Sequence, residues 1–336
     1  MAVGTPVVFG RPDRLLVGRT TERAWWSSRS DDPGYAEQVL SDLRRDGSRR
    51  PAGSTSYAVG ALSFRPDAPA LLSRLDDTGP GVLPSLTRHP VVVEQTARPE
   101  RDAYVRAVSV ALQRLAEDPT KAKVVLGRWL DLRATEPIDT LAVLAGLAAT
   151  APTARLFAVP APAVVDEDEQ SFLVGASPEL LVARRGRTIS ATPMAGSVPR
   201  DSDPTADLAA GRGLLASAKD TDEHRYVADD VAETLRPWCD ELVVDWPRLV
   251  RTDSVWHLAT EIRGRLADRH RGLSALHLAQ LLQPTPAVCG TPTDWALDAI
   301  AELEGARGAA AGAVGWVDAT GDGTWAVAIR LGELSG

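Results

Sequence analysis

Residues 312–331, GAVGWVDATGDGTWAVAIRL, decide the fold class because they hold two apolar runs on either side of a polar turn. The runs are residues 313–318 and 325–331, and the turn at 318–323 is rich in glycine and aspartate. Glycine and aspartate adopt the backbone conformations that hairpin turns need, and short apolar runs bounded by such turns are typical of strands. The stretch therefore predicts an antiparallel hairpin.

Outward from this hairpin, strand-like and helical patterns are mixed. Strand-like runs occupy residues 171–176, 180–184 and 256–262, and apolar residues recur at helical spacing over 99–117, 138–149, 214–235, 273–282 and 294–304. Up to about residue 95, short apolar runs alternate with breaks rich in Gly, Pro, Ser and Asp, which predicts strands and loops. This mixture favours one large α+β unit over βαβ repeats.

The composition of the 336 residues is that of a globular protein, with 44% hydrophobic and 24% charged residues. The formal net charge of −8 leads us to expect neither nucleic acid nor a membrane as a partner. Cys239 and Cys289 are too few for a disulfide framework and lack the spacing of a zinc site. The sequence shows no signal-peptide pattern and no long apolar span, so we expect a cytoplasmic protein.

Lysine is scarce in this chain, since only Lys121, Lys123 and Lys219 are present among 37 basic residues. Arginine cannot replace lysine where an amine must lose its proton, so each remaining lysine is informative. Lys123 lies in a predicted strand over 122–132, on the same face as Gly127, whose small size leaves space for a buried amine. Burial disfavours the charged amine, as a general base requires. The alternative is a strand-end lysine that reaches solvent.

Acidic residues stand at two further places where chemistry is expected. Glu179 follows a strand-like run and Pro178, and it is a candidate general acid if its surroundings raise its pKa. The alternative is a solvated glutamate. Asp220 and Glu223 lie at i and i+3 on one side of a predicted helix, and paired carboxylates suit Mg²⁺. The alternative is that acidic residues are simply favoured in a first helical turn.

Arg330 is an isolated charge within the second apolar run of the hairpin. A buried arginine needs an anion, and its planar fork matches a carboxylate, whereas an exposed strand-end arginine needs neither. His224 and His257 suggest zinc only weakly, because no third and fourth ligand lies at a useful spacing. Basic and acidic groups in one cleft would indicate a small anionic substrate.

Seven stretches in order along the chain carry a family resemblance that runs from about Tyr57 to Leu334. They are KVVLGRWLDL from Lys123, FLVGASPELLV from Phe172, TPMAGSVPR from Thr192, LLASAKDTDEH from Leu214, VWHLATEIRG from Val255, LLQPTPAVCGTP from Leu281, and GAVGWVDATGDGTWAVAIRL from Gly312. Together they resemble the chorismate-utilising enzymes, and most of all the isochorismate synthases.

The resemblance implies a fold and a substrate. The fold is α+β, with two stacked antiparallel sheets and helices on the outside. Residues 1–95 would form a divergent N-terminal part of that fold, and residues 96–336 the catalytic region that binds chorismate with Mg²⁺ as cofactor.

The resemblance also implies roles for the residues singled out above. Lys123 matches the base that activates water for attack at C2 of the ring, and Glu179 matches the acid that protonates the departing C4 hydroxyl. Glu223, with Asp220 beside it, matches the metal-binding acid. The residues that match the substrate pocket are Ala195, Gly196, Ser197, His257, Thr285 and Arg330, with Arg330 holding a carboxylate.

Variant positions choose among members of the family. Aminodeoxychorismate synthases resemble one another in having a nucleophilic lysine at the position of Ala195. The resemblance therefore disfavours that reaction for this chain. Lys123 favours water over ammonia as the nucleophile, and no glutaminase motif occurs, so we expect no glutaminase subunit. The stretch from Leu281 is more similar to isochorismate synthases than to salicylate synthases. We therefore expect an isomerase, an isochorismate synthase of siderophore, menaquinone or other secondary metabolism.

Two alternatives stay open at this point. The chain stops at Gly336, whereas relatives continue into a glycine-rich loop, a further pair of glutamates for Mg²⁺ and a lysine for the substrate carboxylate. Loss of those charges would weaken binding of metal and substrate, so a truncated or non-catalytic homologue is the first alternative. A salicylate synthase is the second.

Overall fold

Antiparallel strands form most of the ordered framework of the computed structural model, which describes residues 6–19, 25–27, 29–47, 55–76, 80–81, 83, 92–162 and 170–334. The strands are β1 (Pro6–Arg11), β2 (Arg14–Arg19), β3 (Trp25–Ser27), β4 (Ser56–Leu62), β5 (Ala70–Asp76), β6 (Pro80–Gly81), β7 (Val92–Arg98), β8 (Lys123–Val124), β9 (Trp129–Ala134), β10 (Arg155–Pro162), β11 (Gln170–Ser177), β12 (Leu180–Arg185), β13 (Thr188–Thr192), β14 (Met194–Pro199), β15 (Cys239–Val244), β16 (Arg248–Arg251), β17 (Val255–Ala259), β18 (Ile262–Leu266), β19 (Gly290–Thr291), β20 (Ala313–Asp318), β21 (Gly323–Val327) and β22 (Leu331–Leu334).

The helices are α1 (Pro33–Gly47), α2 (Arg101–Glu117), α3 (Thr140–Thr150), α4 (Pro204–Ala216), α5 (Ala218–Leu235), α6 (Ala275–Leu282) and α7 (Thr293–Leu303). Side chains cap several of them, as where Asp139 accepts hydrogen bonds from the first backbone N–H groups of α3. No helix among the described residues combines the length and the apolar character needed to cross a bilayer.

Two sheets contain most of these strands. One has the order β22-β11-β10-β1-β2-β6 and the other the order β15-β18-β13-β12-β21-β20-β4-β5-β3, with antiparallel pairing throughout both. The predicted hairpin is confirmed, because β20 and β21 pair across the turn. Strands from before residue 95 take part in both sheets, and the division of the chain at that residue stays a prediction.

The core has two layers, one on each face of the larger sheet. Between the sheets, side chains such as Phe157 of β10 pack against Val59 of β4 and Val314 of β20. On the outer face of the larger sheet, α1, α5, α6 and α7 bury apolar residues against Trp325 and its neighbours. Helix α3 packs on β10 and β11 of the smaller sheet. The prediction of two stacked antiparallel sheets with helices outside is confirmed.

The chain passes directly from one sheet to the other at two places that lie side by side. Residues 178–179 join β11 to β12, and residues 328–330 join β21 to β22. The strands on either side pair with each other, since β11 pairs with β22 and β12 with β21. The backbone N–H of Val327 donates to the Glu179 carbonyl, and that of Ala176 donates to the Arg330 carbonyl. We call these two segments the paired crossings.

The prediction of strands and loops up to residue 95 is wrong at α1. This helix buries Tyr35, Ala36, Val39, Leu40 and Leu43, which follow the spacing of one helical face. The segment 32–34 is Asp-Pro-Gly, and these residue types predict a turn rather than a helix. In the structure, proline instead occupies the first turn of the helix, where its missing N–H costs nothing.

The continuous strand predicted over residues 122–132 is also wrong, because β8 and β9 are separate. The backbone N–H of Gly127 donates to the carboxylate of Glu304 instead of to a neighbouring strand. Leu130 and Leu132 are exposed on β9. The helix predicted over 214–235 likewise divides into α4 and α5, since Ser217 ends the first and caps the second.

Trp325→Ala provides a test of the outer core layer, because Trp325 is fully buried whereas Trp246 is 90% exposed. We expect Trp325→Ala to lower the free energy of unfolding by about 3 to 5 kcal/mol, from lost burial and the cavity it leaves. Trp246→Ala should change it by less than about 0.5 kcal/mol. Urea unfolding followed by circular dichroism measures both values, and equal losses would contradict this assignment of the core.

Candidate active site

Lys123 lies on β8, directly opposite Thr291 of the short strand β19. Its side chain is only 10% exposed, so the alternative of a lysine that reaches solvent does not hold. The amine Nζ lies 3.0 Å from Oε1 of Glu223, at an angle that does not make a hydrogen bond. The amine therefore faces inward, toward α5.

Glu179 lies on the first of the paired crossings and is 3% exposed, so the alternative of a solvated glutamate does not hold either. Its Oε1 accepts a hydrogen bond of 3.2 Å from the backbone N–H of Met194. Burial raises the pKa of this carboxyl to about 8, against the opposing effects of the Met194 N–H and the charge of Lys123. Glu179 is thus protonated near neutral pH, and Lys123 is close enough to act on it electrostatically.

The strand β14 bulges toward α5 at Gly196. Ala195 pairs with Leu258 and Ser197 pairs with His257, which leaves Gly196 as the extra residue of the bulge. Gly196 has φ of 76°, and a Cβ there would lie 3.3 Å from Cβ of Asp220. Glycine meets both requirements, and the bulge brings the three predicted pocket residues Ala195, Gly196 and Ser197 to the start of α5.

The first turns of α5 present Asp220 and Glu223. Ser217 Oγ accepts a hydrogen bond from the backbone N–H of Asp220 and so fixes the start of the helix. The ammonium of Lys219 lies 3.7 Å from Asp220 Oδ1 and 4.0 Å from Glu223 Oε2. The single ammonium of Lys219 therefore lies near one oxygen of each of the two carboxylates.

These two carboxylates fit a Mg²⁺ ion that takes its remaining ligands from water and substrate. Mg²⁺ in proteins is commonly held by one or two carboxylates and keeps several waters. One oxygen of Asp220 and one of Glu223 lie near the same ammonium of Lys219, and the Mg²⁺ ion itself stays a prediction. In the part of the chain that the structure describes, no group of three or more His, Cys, Asp or Glu side chains is placed to hold a metal ion.

His257 and Arg330 form a pair at the edge of the site. The Arg330 guanidinium lies 2.6 Å from Nε2 of His257. Burial, with the charge of Arg330 acting in the same direction, lowers the pKa of His257 to about 4, so the ring is neutral and can accept this hydrogen bond. Within the described ranges, no acidic side chain pairs with Arg330.

The sequence interpretation of Arg330 as a strand residue is wrong. It lies on the second paired crossing with φ of 53°, between β21 and β22, and it is exposed rather than buried. A residue that is not glycine rarely adopts positive φ, and here the hydrogen bond from Ala176 to its carbonyl holds that conformation. The kink directs the Arg330 side chain toward His257 rather than into the sheet.

Thr285 lies on a buried turn beside β8. Its carbonyl accepts hydrogen bonds from the N–H groups of Val288 and Cys289, and the Cys289 carbonyl accepts one from Val125. The hydroxyl Oγ1 of Thr285 is buried and has no hydrogen-bond partner. A buried hydroxyl without a partner is uncommon, and the predicted role of Thr285 in the substrate pocket stays a prediction.

Two groups of the site were not predicted from the sequence. The Met194 backbone N–H has no sequence signal, because any residue other than proline supplies one. The sequence suggests His224 only as a weak zinc ligand, but in the structure it is fully buried and its Nε2 lies 2.7 Å from Oγ1 of Thr260. Burial lowers the pKa of His224, and the charge of Lys123 acts in the same direction. This neutral ring packs α5 against the end of β17.

The family model described as chorismate binding enzyme matches residues 78–336. The chain belongs to this family of chorismate binding enzymes. Isochorismate synthase DhbC of Bacillus subtilis is 46% identical over 237 residues, which cover 70% of this chain and 59% of that protein. Isochorismate synthase EntC of Escherichia coli is 36% identical over 307 residues, which cover 88% of this chain and 75% of EntC.

A solved structure is also similar to this chain over most of its length. The crystal structure of DhbC from Bacillus anthracis superposes with a TM-score of 0.86 at 34% identity, and the match covers 98% of this chain and 86% of that one. The resemblance to isochorismate synthases within the family is therefore confirmed. The roles of individual residues in this chain stay predictions.

The ionisation of Glu179 should make stability depend on pH. The folded state holds this proton up to about pH 8, whereas the unfolded chain releases it near 4.5. The folded state therefore binds more protons between these values, so its stability falls as pH rises through this window, by up to about 1.4 kcal/mol per pH unit from this group. Glu179→Gln should remove that contribution.

Urea unfolding at pH 5, 6.5 and 8 measures the effect in the wild type, in Glu179→Gln and in Glu241→Gln. Glu241 is exposed on β15, and its substitution should leave the wild-type slope unchanged. If Glu179→Gln kept the wild-type pH dependence, the raised pKa would be excluded.

Proposed function

We propose that this protein converts chorismate to isochorismate. Water adds to C2 of the ring, the ring double bonds shift, and the hydroxyl at C4 leaves. The observation that supports this best is a buried, protonated carboxyl, Glu179, within electrostatic reach of an inward-facing amine, Lys123. The similarity to DhbC and EntC supports the same conclusion.

Lys123 acts as the general base in this proposal. Its amine takes a proton from the attacking water as the bond between the water oxygen and C2 forms. The side chain is nearly buried, so the amine is shielded from bulk solvent. Arginine could not do this, which agrees with the retention of lysine here in a chain that uses arginine almost everywhere else.

Glu179 acts as the general acid. It gives its proton to the C4 oxygen as that bond breaks, so the hydroxyl leaves as water. One water enters, one water leaves, and the ring is isomerised without any oxidant or reductant. Burial of the carboxyl keeps the proton in place until it is needed.

Chorismate has two carboxylates, and the site offers groups for them. Arg330 presents its guanidinium beside the neutral His257, and the fork geometry of arginine suits a carboxylate. The unpartnered Thr285 hydroxyl and the backbone of Ala195, Gly196 and Ser197 would complete the pocket.

Asp220 and Glu223 would hold the Mg²⁺ ion. When bound there, Mg²⁺ supplies positive charge that neutralises a substrate carboxylate. Glu223 also contacts Lys123, so the metal-binding acid and the base are adjacent.

The reaction is tested by incubating the purified chain with chorismate and Mg²⁺ and separating the products by chromatography. We expect isochorismate, and we expect Lys123→Met and Glu179→Gln each to lower kcat by about 10²- to 10⁴-fold. Lys121→Met is the matched control, because Lys121 pairs with Asp118 outside the site and its loss should leave kcat unchanged.

Three outcomes would contradict this proposal. Absence of product at high enzyme concentration would favour a non-catalytic homologue. Release of salicylate and pyruvate would favour a salicylate synthase. Unchanged kcat in both site variants would exclude the assigned acid and base.

Magnesium binding is tested separately by isothermal titration calorimetry without chorismate. Loss of one charge-assisted contact of about 1.5 to 3 kcal/mol predicts that Glu223→Gln raises the Mg²⁺ dissociation constant by about 10- to 150-fold. Asp222→Asn is the control, since Asp222 lies between the two ligands in sequence but is exposed and near Arg225. Equal Mg²⁺ affinity in the wild type and Glu223→Gln would exclude this ligand.

A further inference from the structure

An ion pair between Glu304 and Arg307 is buried just after α7, where the two side chains are 4% and 5% exposed. Arg307 Nε lies 2.7 Å from Glu304 Oε1, and one of its terminal nitrogens lies 2.6 Å from Oε2. The guanidinium also stacks over the ring of Phe64 at 4.5 Å from the centroid. Both charges are therefore almost completely removed from solvent.

The remaining hydrogen bonds of this pair all go to backbone groups near Lys123 and Thr285. Arg307 donates to the carbonyls of Val125 and Val288, each at 2.7 Å. Glu304 Oε2 accepts the backbone N–H of Gly127 at 2.7 Å. The pair thus joins the segment that follows β8 to the turn that carries Thr285.

Gly127 permits this approach. A Cβ at that position would lie 3.2 Å from Oε1 of Glu304, which is closer than side chains normally pack. The glycine on the face of Lys123 therefore has a physical role, because it gives the carboxylate access to the backbone.

Stability alone does not account for this arrangement. A buried ion pair loses about as much by desolvation as it gains by attraction, and apolar residues of similar volume often serve as well. What the pair does supply is positional restraint, because its hydrogen bonds hold three backbone groups in fixed positions. Among the described residues, β8 has two residues and pairs only with the equally short β19, so its own ladder gives little such restraint.

We propose that Glu304 and Arg307 are positioning residues that hold the Lys123 amine in register with Glu179. The inference rests on the proposed function for its catalytic meaning, but the placement of Lys123 is measurable without any reaction. Misplacement of a reacting group by about 1 Å is enough to lower a rate by about 100-fold.

The chain supplies its own control for the test. Asp322 accepts the backbone N–H of Gly186 at 2.7 Å and pairs with Arg184, which donates to the carbonyls of Thr320 and Arg271. This ion pair has the same kinds of backbone partners as the pair of Glu304 and Arg307. It lies at the C-terminal end of β12, whereas Glu179 directly precedes the N-terminal end of that strand.

The experiment uses the full chain labelled with ¹³C at lysine Cε, which gives three lysine signals assigned through Lys121→Met and Lys219→Met. At one fixed pH, we expect Glu304→Gln to move the Lys123 signal toward the position of exposed lysines and to lower kcat by about 10- to 100-fold with little change in KM. Asp322→Asn should leave the Lys123 signal and kcat unchanged. Thermal unfolding of each variant shows whether it is folded.

If Glu304→Gln does not fold, Gly127→Ala is the second variant. Its Cβ would displace the Glu304 carboxylate by only a few tenths of an ångström. We expect the same shift of the Lys123 signal in this variant. An unchanged Lys123 signal in the folded variant would overturn the proposal, and so would an equal shift in Asp322→Asn. A Lys123 shift specific to Glu304→Gln in a chain that makes no isochorismate would uphold the positioning role and reject the proposed function.

Discussion

The hydrogen bonds between the paired crossings hold together the part of the fold that positions the candidate site. Two strands leave one sheet and enter the other side by side, and two backbone hydrogen bonds tie the segments where they cross. At such a junction a side chain is enclosed by both sheets, which accounts for the burial of Glu179. The neighbouring crossing forces the kink at Arg330 and turns its side chain toward His257.

Burial is also the source of the electrostatic character of the site. Enclosure raises the pKa of Glu179 and lowers that of His257. Near pH 7 the carboxyl therefore keeps its proton and the imidazole has not taken one, so both groups are neutral. The charges that remain nearby, on Arg330, Lys219 and the two carboxylates of α5, lie around these neutral groups. The site is therefore polar without an excess of one sign.

Local sequence pattern predicted those parts of the fold in which neighbours along the chain decide the structure. The hairpin of β20 and β21 and the amphipathic α2 are such cases. The break after β8 was missed because the partner of Gly127 is Glu304, 177 residues away, and no local signal announces it. The positive φ of Arg330 was missed for the same reason, since a tertiary hydrogen bond imposes it. Residue types pointed to Lys123, Glu179 and Glu223, and the fold brings them together, but burial and distance had to come from the structure.

The near-complete enclosure of Glu179 has a consequence for how a turnover would end. In the proposed reaction the carboxyl has given a proton away and the amine of Lys123 has gained one, so the two groups carry opposite charges. A medium of low polarity disfavours such a separated pair, and one proton passing back between them restores the starting state. Water enters and leaves with the same number of hydrogens. The proposed reaction therefore needs no net supply or removal of protons.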